Sequence, residues 1–151
     1  MTLGASLKKF HVEGKNEHQR TAKLIADMSF DKNELIDAIV YTIAQKSYQT
    51  LQIDTDKHVQ LTNDFVYLNH SCQPTVYFKD DAFCANTDIK MGDELTFFYP
   101  ATEWELQEPF TCHCHHLNCI GVVKGSKYLS TDKLQQYTIA KHIMDLKNKE
   151  D

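Results

Sequence analysis

The 151-residue sequence has little glycine and proline, five and three residues respectively, and no internal repeat or low-complexity segment. These absences exclude collagen-like, linker-rich and disordered chains, and the length predicts one domain with its own core. The apolar stretches are short and interrupted, so no transmembrane helix is expected. The first fifteen residues lack a long apolar segment, which argues against a secretory signal. We therefore expect a protein of the cytoplasm or nucleus without membrane attachment.

Positive charge is also scarce. Sixteen Lys and Arg residues stand against 21 Asp and Glu residues, which gives a formal net charge of −5. Proteins that bind nucleic acids neutralise phosphates with Lys and Arg, so we expect no direct nucleic-acid binding. An acidic surface could attract a basic peptide or an amine, although most such charge simply faces solvent.

Short runs of β-branched and aromatic residues between turn residues predict a mainly β fold. The clearest strands are residues 23–26, the stretch AIVYTI at 38–43, and two strands flanking a hairpin turn at 54–56. Residues 31–46 contain few helix breakers, so a helix competes with the strand there. From Thr131 onward the sequence predicts a C-terminal helix capped by Ser130 or Thr131.

Three cysteines and three histidines fall within ten residues, FTCHCHHLNC at 110–119. Cys112, Cys114 and Cys119 supply three thiolates on one loop, and zinc prefers four thiolate or imidazole ligands. A reducing compartment and the Cys-x-Cys spacing argue against a disulfide, while unligated cysteines in a surface loop remain the alternative. The fourth ligand is either a histidine of this segment or a residue from elsewhere. Metal binding would stabilise a segment with too few apolar residues to fold alone.

Two further stretches, NHSCQP at 69–74 and GDELTFFY at 92–99, resemble the signature segments of SET-domain lysine methyltransferases. In that family they precede a post-SET Cys-x-Cys-x4-Cys, and all three patterns occur here in the same order. The resemblance covers roughly residues 20–125 and implies a mainly β, β-clip-like fold with a pseudoknot-like loop. We expect a SET-like domain at 20–105, a post-SET zinc-binding segment at 106–125 and a C-terminal helical extension at 126–151.

The resemblance also implies the fourth metal ligand. In post-SET enzymes the cysteine of the Asn-His-Ser-Cys segment joins the post-SET cysteines around one zinc, which here means Cys72 with Cys112, Cys114 and Cys119. Four thiolates leave no open position for water or substrate, so the zinc would be structural. The histidines then have no role at the metal, although His115 stands where the family commonly has glycine.

The family transfers a methyl group from S-adenosylmethionine to a lysine amine, and its roles carry over residue by residue. Tyr99 is expected beside the cofactor, where its hydroxyl orients the nucleophile and stabilises the transition state. Phe97 stands where the family has Phe or Tyr, and a phenyl ring there implies di- or trimethylation. Asn69 and His70 are expected to contact the cofactor, the histidine through its backbone rather than as a general base.

Several positions depart from the family pattern. The early Gly-x-Gly, which lets the backbone approach the cofactor, would fall at residues 21–23, where neither glycine is present. Lys23 is expected to compensate by pairing with the cofactor carboxylate. Phe98 replaces the usual Asp, Val66 replaces an Arg and Thr75 replaces an Asn. These departures bear on cofactor affinity and substrate class more than on the fold.

The resulting prediction is an S-adenosylmethionine-dependent methyltransferase acting on the lysine of a protein substrate. One alternative is a methyltransferase of free lysine or another small amine. A second is a catalytically silent SET-like module that binds a peptide or cofactor without turnover. Retention of Tyr99 argues against the silent module, and loss of the two glycines favours it. A zinc-only interaction domain would leave NHSCQP and GDELTFFY unexplained.

Overall fold

The structure is a computed structural model that describes residues 8–14 and 21–150. Most of its regular structure is short β-strand, so the fold is mainly β, as predicted. The strands are β1 (Phe10–Glu13), β2 (Lys23–Ala26), β3 (Leu35–Ala38), β4 (Tyr41–Ala44), β5 (Thr50–Asp54), β6 (Lys57–Leu61), β7 (Asn69–His70), β8 (Val76–Lys79), β9 (Ala82–Ala85), β10 (Glu94–Phe97), β11 (Phe110–Thr111) and β12 (Val122–Val123). The helices are α1 (Thr131–Leu134) and α2 (Lys141–Lys149), with 3-10 turns at Asp64–Tyr67, Tyr99–Ala101 and Ser126–Tyr128.

The described strands form four small sheets, ordered β1-β2-β10-β7, β3-β9-β8, β4-β6-β5 and β11-β12. Nearly all neighbouring strands are antiparallel; β7 and β10 pair in parallel, with Asn69 opposite Thr96 and His70 opposite Phe97. Parallel pairing requires a long connection between the strands. This pair therefore brings the segments NHSCQP and GDELTFFY side by side.

The local strand predictions are confirmed where the pattern was strongest. Strand β2 has the predicted bounds, and β5 and β6 flank the predicted hairpin turn. In residues 31–46, where a helix competed, the chain forms β3 and β4 instead, but the single strand predicted at 38–43 is wrong, because Ile39 and Val40 belong to neither strand. Ile36 of β3 is fully buried while both its neighbours are exposed, which is the alternation expected of a half-buried strand.

A row of phenylalanine rings joins the sheets through the core. The ring of Phe65 lies 4.9 Å from Phe10 and 4.8 Å from Phe83, and Phe83 lies 5.1 Å from Phe97. Tilted and edge-to-face contacts at these distances add to the apolar area that each ring buries. The row ends beside Tyr99, whose ring centroid is 6.3 Å from that of Phe97. The core thus supports the segment that carries Tyr99.

A C-terminal helix is present, but the prediction of one continuous helix from Thr131 onward is wrong. Helix α1 ends at Leu134, and α2 begins only at Lys141. Ser130 caps α1 as expected, because its side chain accepts a hydrogen bond from the Lys133 backbone N–H. No helix in the described part of the chain combines the length and apolar character needed to cross a membrane.

Tertiary contacts explain the break between the two helices. The ring of Tyr137 stacks on Phe98 with 3.6 Å between centroids and 3° between planes. The Ala140 N–H donates to the Ala101 carbonyl at 2.9 Å. Helical geometry would withdraw both groups from these partners, so packing overrides helix propensity here.

Candidate functional site

Four cysteine side chains lie close together in the structure. The sulfur atoms of Cys72, Cys112, Cys114 and Cys119 all lie within 4.8 Å of one another, and those of Cys72 and Cys112 are 3.9 Å apart. A disulfide would require about 2.05 Å. A tetrahedral zinc with Zn–S bonds of about 2.3 Å would place its sulfurs about 3.8 Å apart. The donor set and its spacing therefore fit a closed tetrahedral metal site.

A short hairpin presents three of these cysteines. Strands β11 and β12 pair with Phe110 opposite Val123, and the Cys112 N–H donates to the Gly121 carbonyl at 2.7 Å. Within the loop, His115 has a φ of 61°, a left-handed conformation that favours glycine. The three histidine side chains of this loop are exposed and lie outside the sulfur cluster.

The thiols do not ionise equally. Burial raises the pKa of Cys72 well above its usual range and that of Cys112 to about 11. Burial also opposes ionisation of Cys114, yet hydrogen bonds involving the His116 and Cys72 backbone and the neighbouring sulfurs lower its pKa to about 6. A buried group of sulfurs ionises fully only if a cation balances the charge. The electrostatics of the cluster therefore also fit a metal.

The Cys72 loop is tied to the C-terminal part of the chain. The Cys72 carbonyl accepts hydrogen bonds from the Asn118 side-chain amide at 2.9 Å and from the Tyr137 hydroxyl at 2.7 Å. Neither Asn118 nor Tyr137 was predicted from the sequence. The position of Asn118 beside Cys119 was the one available signal, because the contact with Tyr137 spans 65 residues and leaves no local pattern.

His70 lies between the sulfur cluster and Tyr99. Its Nδ1 accepts the Tyr99 backbone N–H at 3.2 Å, and its Nε2 lies 3.4 Å from the Cys72 sulfur. Because Nδ1 accepts, we assign the ring proton to Nε2, which donates toward the sulfur. Burial lowers the His70 pKa to about 4, so the ring is neutral. Both nitrogens are thus used inside the protein, which leaves neither free to act as a base.

Asn69 fastens β7 to β10 and to the residue that precedes β2. Its side-chain amide donates to the Ala22 carbonyl at 2.9 Å and to Glu94 Oε2 at 3.0 Å. Both amide protons are therefore used, while Oδ1 has no hydrogen-bond partner among the described residues. Asn69 and Glu94 together offer acceptors to a ligand donor.

Tyr99 begins the 3-10 turn that follows β10. Its hydroxyl donates to the Leu68 carbonyl at 2.5 Å. Burial raises the Tyr99 pKa above its usual range, and the negative charges of Glu103 and Glu94 raise it further. The hydroxyl therefore keeps its proton at physiological pH and acts as a neutral donor. Phe97, two residues earlier, is only 3% exposed.

The segment that lacks the two glycines divides between surface and interior. Ala22 is 2% exposed and lines the cleft described below, whereas Lys23 is exposed and pairs across the sheet with Glu13. Lys23 is not among the residues that line this cleft. The structure therefore brings Asn69, His70, Phe97 and Tyr99 together but not Lys23.

One cleft of about 1460 Å³, which we call the central cleft, joins these residues. Its volume exceeds the usual range for one small ligand, so it could hold two reactants. The lining includes the residues predicted to contact the cofactor together with others that were not predicted. Near the predicted residues in sequence are Ala22, residues 68–71, Glu94, Phe97 and Tyr99; further lining residues are 47–51, Thr102, Glu103 and 106–110.

Comparison with known proteins is consistent with this geometry. The SET domain family model matches residues 8–100. Methyltransferase flvH of Aspergillus flavus is 38% identical over 106 residues, which cover 68% of this chain and 60% of that protein. The chain thus spans less than two thirds of that relative's length.

Two solved structures share the fold. A candidate histone methyltransferase from Plasmodium falciparum aligns with a TM-score of 0.51 and 16% identity, covering 62% of this chain and 95% of that one. KRYPTONITE, solved with mCHG DNA and SAH, aligns with a TM-score of 0.55 and 16% identity, covering 68% and 27%. At this identity the likeness concerns the fold alone. The family match itself covers more than half of the sequence, and the chain therefore belongs to the SET-domain family.

Proposed function

We propose that this chain is an S-adenosylmethionine-dependent methyltransferase that transfers methyl groups to a lysine ε-amine of a protein, to the di- or trimethyl state. The observation that carries the proposal is the parallel pairing of β7 with β10. It brings Asn69 and His70 beside Phe97 and Tyr99 in the central cleft. The methyltransferase relative and the SAH-bound neighbour support the same reaction class.

The cleft residues fit the proposed cofactor. When bound, S-adenosylmethionine supplies an electrophilic methyl group on a positively charged sulfonium. The free Oδ1 of Asn69 and the carboxylate of Glu94 suit the positively charged amino group of its amino-acid portion. Thr21 and Lys23, which stand at the two glycine positions, are exposed and do not line the central cleft, so the missing glycines need not close it.

Tyr99 is the residue proposed to act on the reacting atoms. Its 3-10 turn, its hydrogen bond to Leu68 and the His70 ring against its backbone N–H hold it in one place. A fixed neutral hydroxyl can orient the amine and interact with the polar transition state without reorganising. Lys23 remains predicted as a contact of the cofactor carboxylate, which would require its exposed side chain to reach the cleft.

The test is a labelled-methyl transfer assay that offers histones, a cell lysate and free lysine in parallel, with Tyr99→Phe as the control. We expect transfer by the wild type and a loss of at least about tenfold in the variant, since one oriented hydroxyl is removed. Calorimetric titration with S-adenosylmethionine accompanies it. Absence of binding at millimolar cofactor would reject both methyltransferase readings and favour the silent module.

We further propose that Cys72, Cys112, Cys114 and Cys119 hold one structural zinc. The metal would fix the loop that carries His70, and hence the backbone of Tyr99, without taking part in the reaction. Removing it with a chelator should therefore weaken cofactor binding and loosen the loop. Amide hydrogen exchange across residues 110–123 measures the loosening. Equal exchange and equal cofactor affinity after verified metal loss would contradict this role.

A small amine, including free lysine, is the second candidate acceptor. The segment between β4 and β5 spans only residues 45–49, and it contributes residues 47–49 to the cleft lining. So short a segment offers little surface for binding a long peptide. The parallel assay distinguishes the two acceptors. The location in cytoplasm or nucleus, the lack of direct nucleic-acid binding and the boundaries at 105 and 125 remain predictions.

A further inference from the structure

Glu103 is a buried carboxylate one turn away from Tyr99. Its backbone N–H donates to the Tyr99 carbonyl at 3.0 Å, and its residue exposure is 9%. Glu103 is among the residues that line the central cleft. Its negative charge is one cause of the raised Tyr99 pKa, so the two groups interact electrostatically.

Only one oxygen of this carboxylate is used by the protein. Oε2 accepts hydrogen bonds from the Gln52 backbone N–H at 2.9 Å and from the Thr102 hydroxyl at 2.8 Å. Oε1 has no hydrogen-bond partner among the described residues, and none of their cationic side chains forms an ion pair with Glu103. A buried carboxylate usually has a cationic partner, because two neutral bonds do not replace its hydration.

The two hydrogen bonds do not require a charge. A glutamine at this position could accept both through its side-chain oxygen and keep the link to Gln52 and Thr102. The charge therefore has no evident structural purpose, although it makes the fold less stable. Buried charged groups of this kind in a cleft are candidates for a role in function.

The surrounding chain holds Glu103 in place from several sides. Its carbonyl accepts from the Ser126 N–H at 2.9 Å and from the Ser126 hydroxyl at 3.2 Å. The Gln52 side-chain oxygen accepts the Trp104 N–H at 2.9 Å, which fixes the next residue to the same strand. Such a support limits the freedom of the carboxylate to turn away from the cleft.

We propose that Glu103 is the general base of this site: its free Oε1 takes a proton from the ammonium form of the acceptor, so the cleft selects cationic amines. This inference rests on the proposed methyltransferase function. A lysine amine is protonated at neutral pH and cannot attack a methyl group until it loses that proton. Among the cleft residues described above, His70 has both ring nitrogens engaged and Tyr99 keeps its own proton, so neither can receive it. The carboxylate of Glu94 is the one proposed to bind the amino group of the cofactor.

The step balances with no further reactant. One N–H bond of the ammonium breaks, an O–H bond to Oε1 forms, and the electron pair stays on nitrogen. The carboxylate becomes a neutral carboxyl and the amine becomes a neutral nucleophile. After transfer the proton leaves Glu103 for solvent through the open cleft. A methylated product is formed in its ammonium state, so the same carboxylate serves each later transfer.

The electrostatics suit this role. Burial raises the Glu103 pKa to about 7. Its hydrogen bonds with Gln52 and Thr102 and the positive charge of Lys46 act in the opposite direction and lower the pKa. Other titratable groups near this segment include Tyr99, Glu105 and His142. The His142 Nε2 bonds the Thr102 carbonyl at 2.7 Å. A base that titrates near the working pH exchanges protons most effectively.

The test compares Glu103→Gln with the wild type on a lysine-containing peptide between pH 6 and 10. We expect the variant to lose on the order of 100-fold in kcat at pH 7. The wild-type rate should level off above about pH 7. The variant rate should keep rising with pH, because the amine must then lose its proton to solvent. Wild-type rate and pH profile in the variant would overturn the inference while leaving the proposed function intact.

Glu105→Gln is the matched control. Glu105 lies two residues after Glu103, forms an exposed ion pair with Lys127 and does not line the cleft, so its substitution removes one negative charge outside the site. It should keep the wild-type profile. A melting temperature of Glu103→Gln at pH 8 equal to or above that of the wild type would support a chemical cause for its lost activity.

A titration independent of turnover keeps the inference testable if no acceptor is methylated. Carbon-13 NMR of the Glu103 carboxyl, assigned with the Gln variant, should show a midpoint near 7 that falls when butylammonium is added. A cation beside the carboxylate favours its charged form. A midpoint that butylammonium does not move would overturn the inference, and failure of methyl transfer alone would reject only the proposed function.

Discussion

At the scale of single residues, Phe97 is expected to set the number of methyl groups transferred. Its ring lies between Phe83 and Tyr99 and lines the cleft. Phe97→Tyr adds one hydroxyl where a methylated amine would need space. We expect the wild type to form di- or trimethyl product and the variant to accumulate monomethyl product with at least about a tenfold bias. A mass-spectrometric time course measures both, and a wild type that stops at one methyl group would refute the expectation.

His115 tests the backbone of the cysteine loop. A non-glycine residue at a φ of 61° is uncommon, and a β-branched residue there is strained. His115→Gly should hold zinc as tightly as the wild type, and its stability should change by no more than about 0.5 kcal/mol. His115→Val should lose about 1–2 kcal/mol and release metal faster.

Chelator competition and thermal melting measure the two His115 variants side by side. If valine were tolerated as well as glycine, the left-handed conformation would have no energetic weight. If glycine alone lost the metal, the histidine ring would have to contribute to the site.

At the scale of elements, the break between α1 and α2 places Tyr137 against the cysteine loop. Tyr137→Phe removes the hydrogen bond to the Cys72 carbonyl, which Asn118 still satisfies, and the one that its hydroxyl accepts from the Asn118 amide at 3.2 Å, but it keeps the stack on Phe98. We expect a loss of about 1 kcal/mol and faster zinc release. Tyr128→Phe, which alters an exposed tyrosine of the same extension, should change neither quantity. Denaturant unfolding and metal-release rates provide the measurement.

Some elements of the fold could be predicted from the sequence, and others could not. Strand β2 and the β5–β6 hairpin follow from local patterns, and the signature segments pointed to the fold and to the four cysteines. The helix break could not be predicted, because the stack of Tyr137 on Phe98 spans 39 positions and the local sequence is compatible with helix. Glu103 was missed for a similar reason: its burial depends on Gln52, which lies 51 residues earlier.

Phe98 shows how a departure from a family pattern is explained by a distant residue. An aspartate at this position could not stack on Tyr137, whereas phenylalanine forms a parallel ring contact with it. The aromatic pair connects the segment that carries Tyr99 to the C-terminal extension. The departure therefore reflects a packing arrangement of this chain, and Phe98 is not among the residues that line the central cleft.

At the scale of the whole molecule, buried His142 makes stability depend on pH. Burial lowers the His142 pKa below 6.5. The hydrogen bond to Thr102 and the negative charges of Asp54 and Asp145 act in the opposite direction and raise it. As pH falls below 6.5, the unfolded chain binds a proton that the folded chain does not, so acid reduces the free energy of unfolding. Between pH 7 and 5.5, the free energy of unfolding of His142→Gln should therefore fall less than that of the wild type.

Denaturant unfolding at the two pH values measures this difference. His11→Gln is the control of opposite sign, because hydrogen bonds to Glu13 and Asp27 raise the His11 pKa and stabilise the fold at low pH. Without the His11 ring, the free energy of unfolding should fall slightly more between pH 7 and 5.5 than it does in the wild type. An unchanged slope in His142→Gln would show that this ring is not the source of the dependence.

The separation of the four cysteines along the chain also constrains protein synthesis. Cys72 lies 40 residues before Cys112, and Cys119 follows seven residues later. A ribosome therefore exposes β1 to β10 well before the last sulfur leaves the exit tunnel. Tyr99 can pair with His70 in the nascent chain, but the loop that fixes His70 cannot close on a metal until then. If the four cysteines hold the proposed zinc, the metal is loaded after most of the sheet strands are synthesised, and the supply of free zinc would then affect how much of the newly made protein matures.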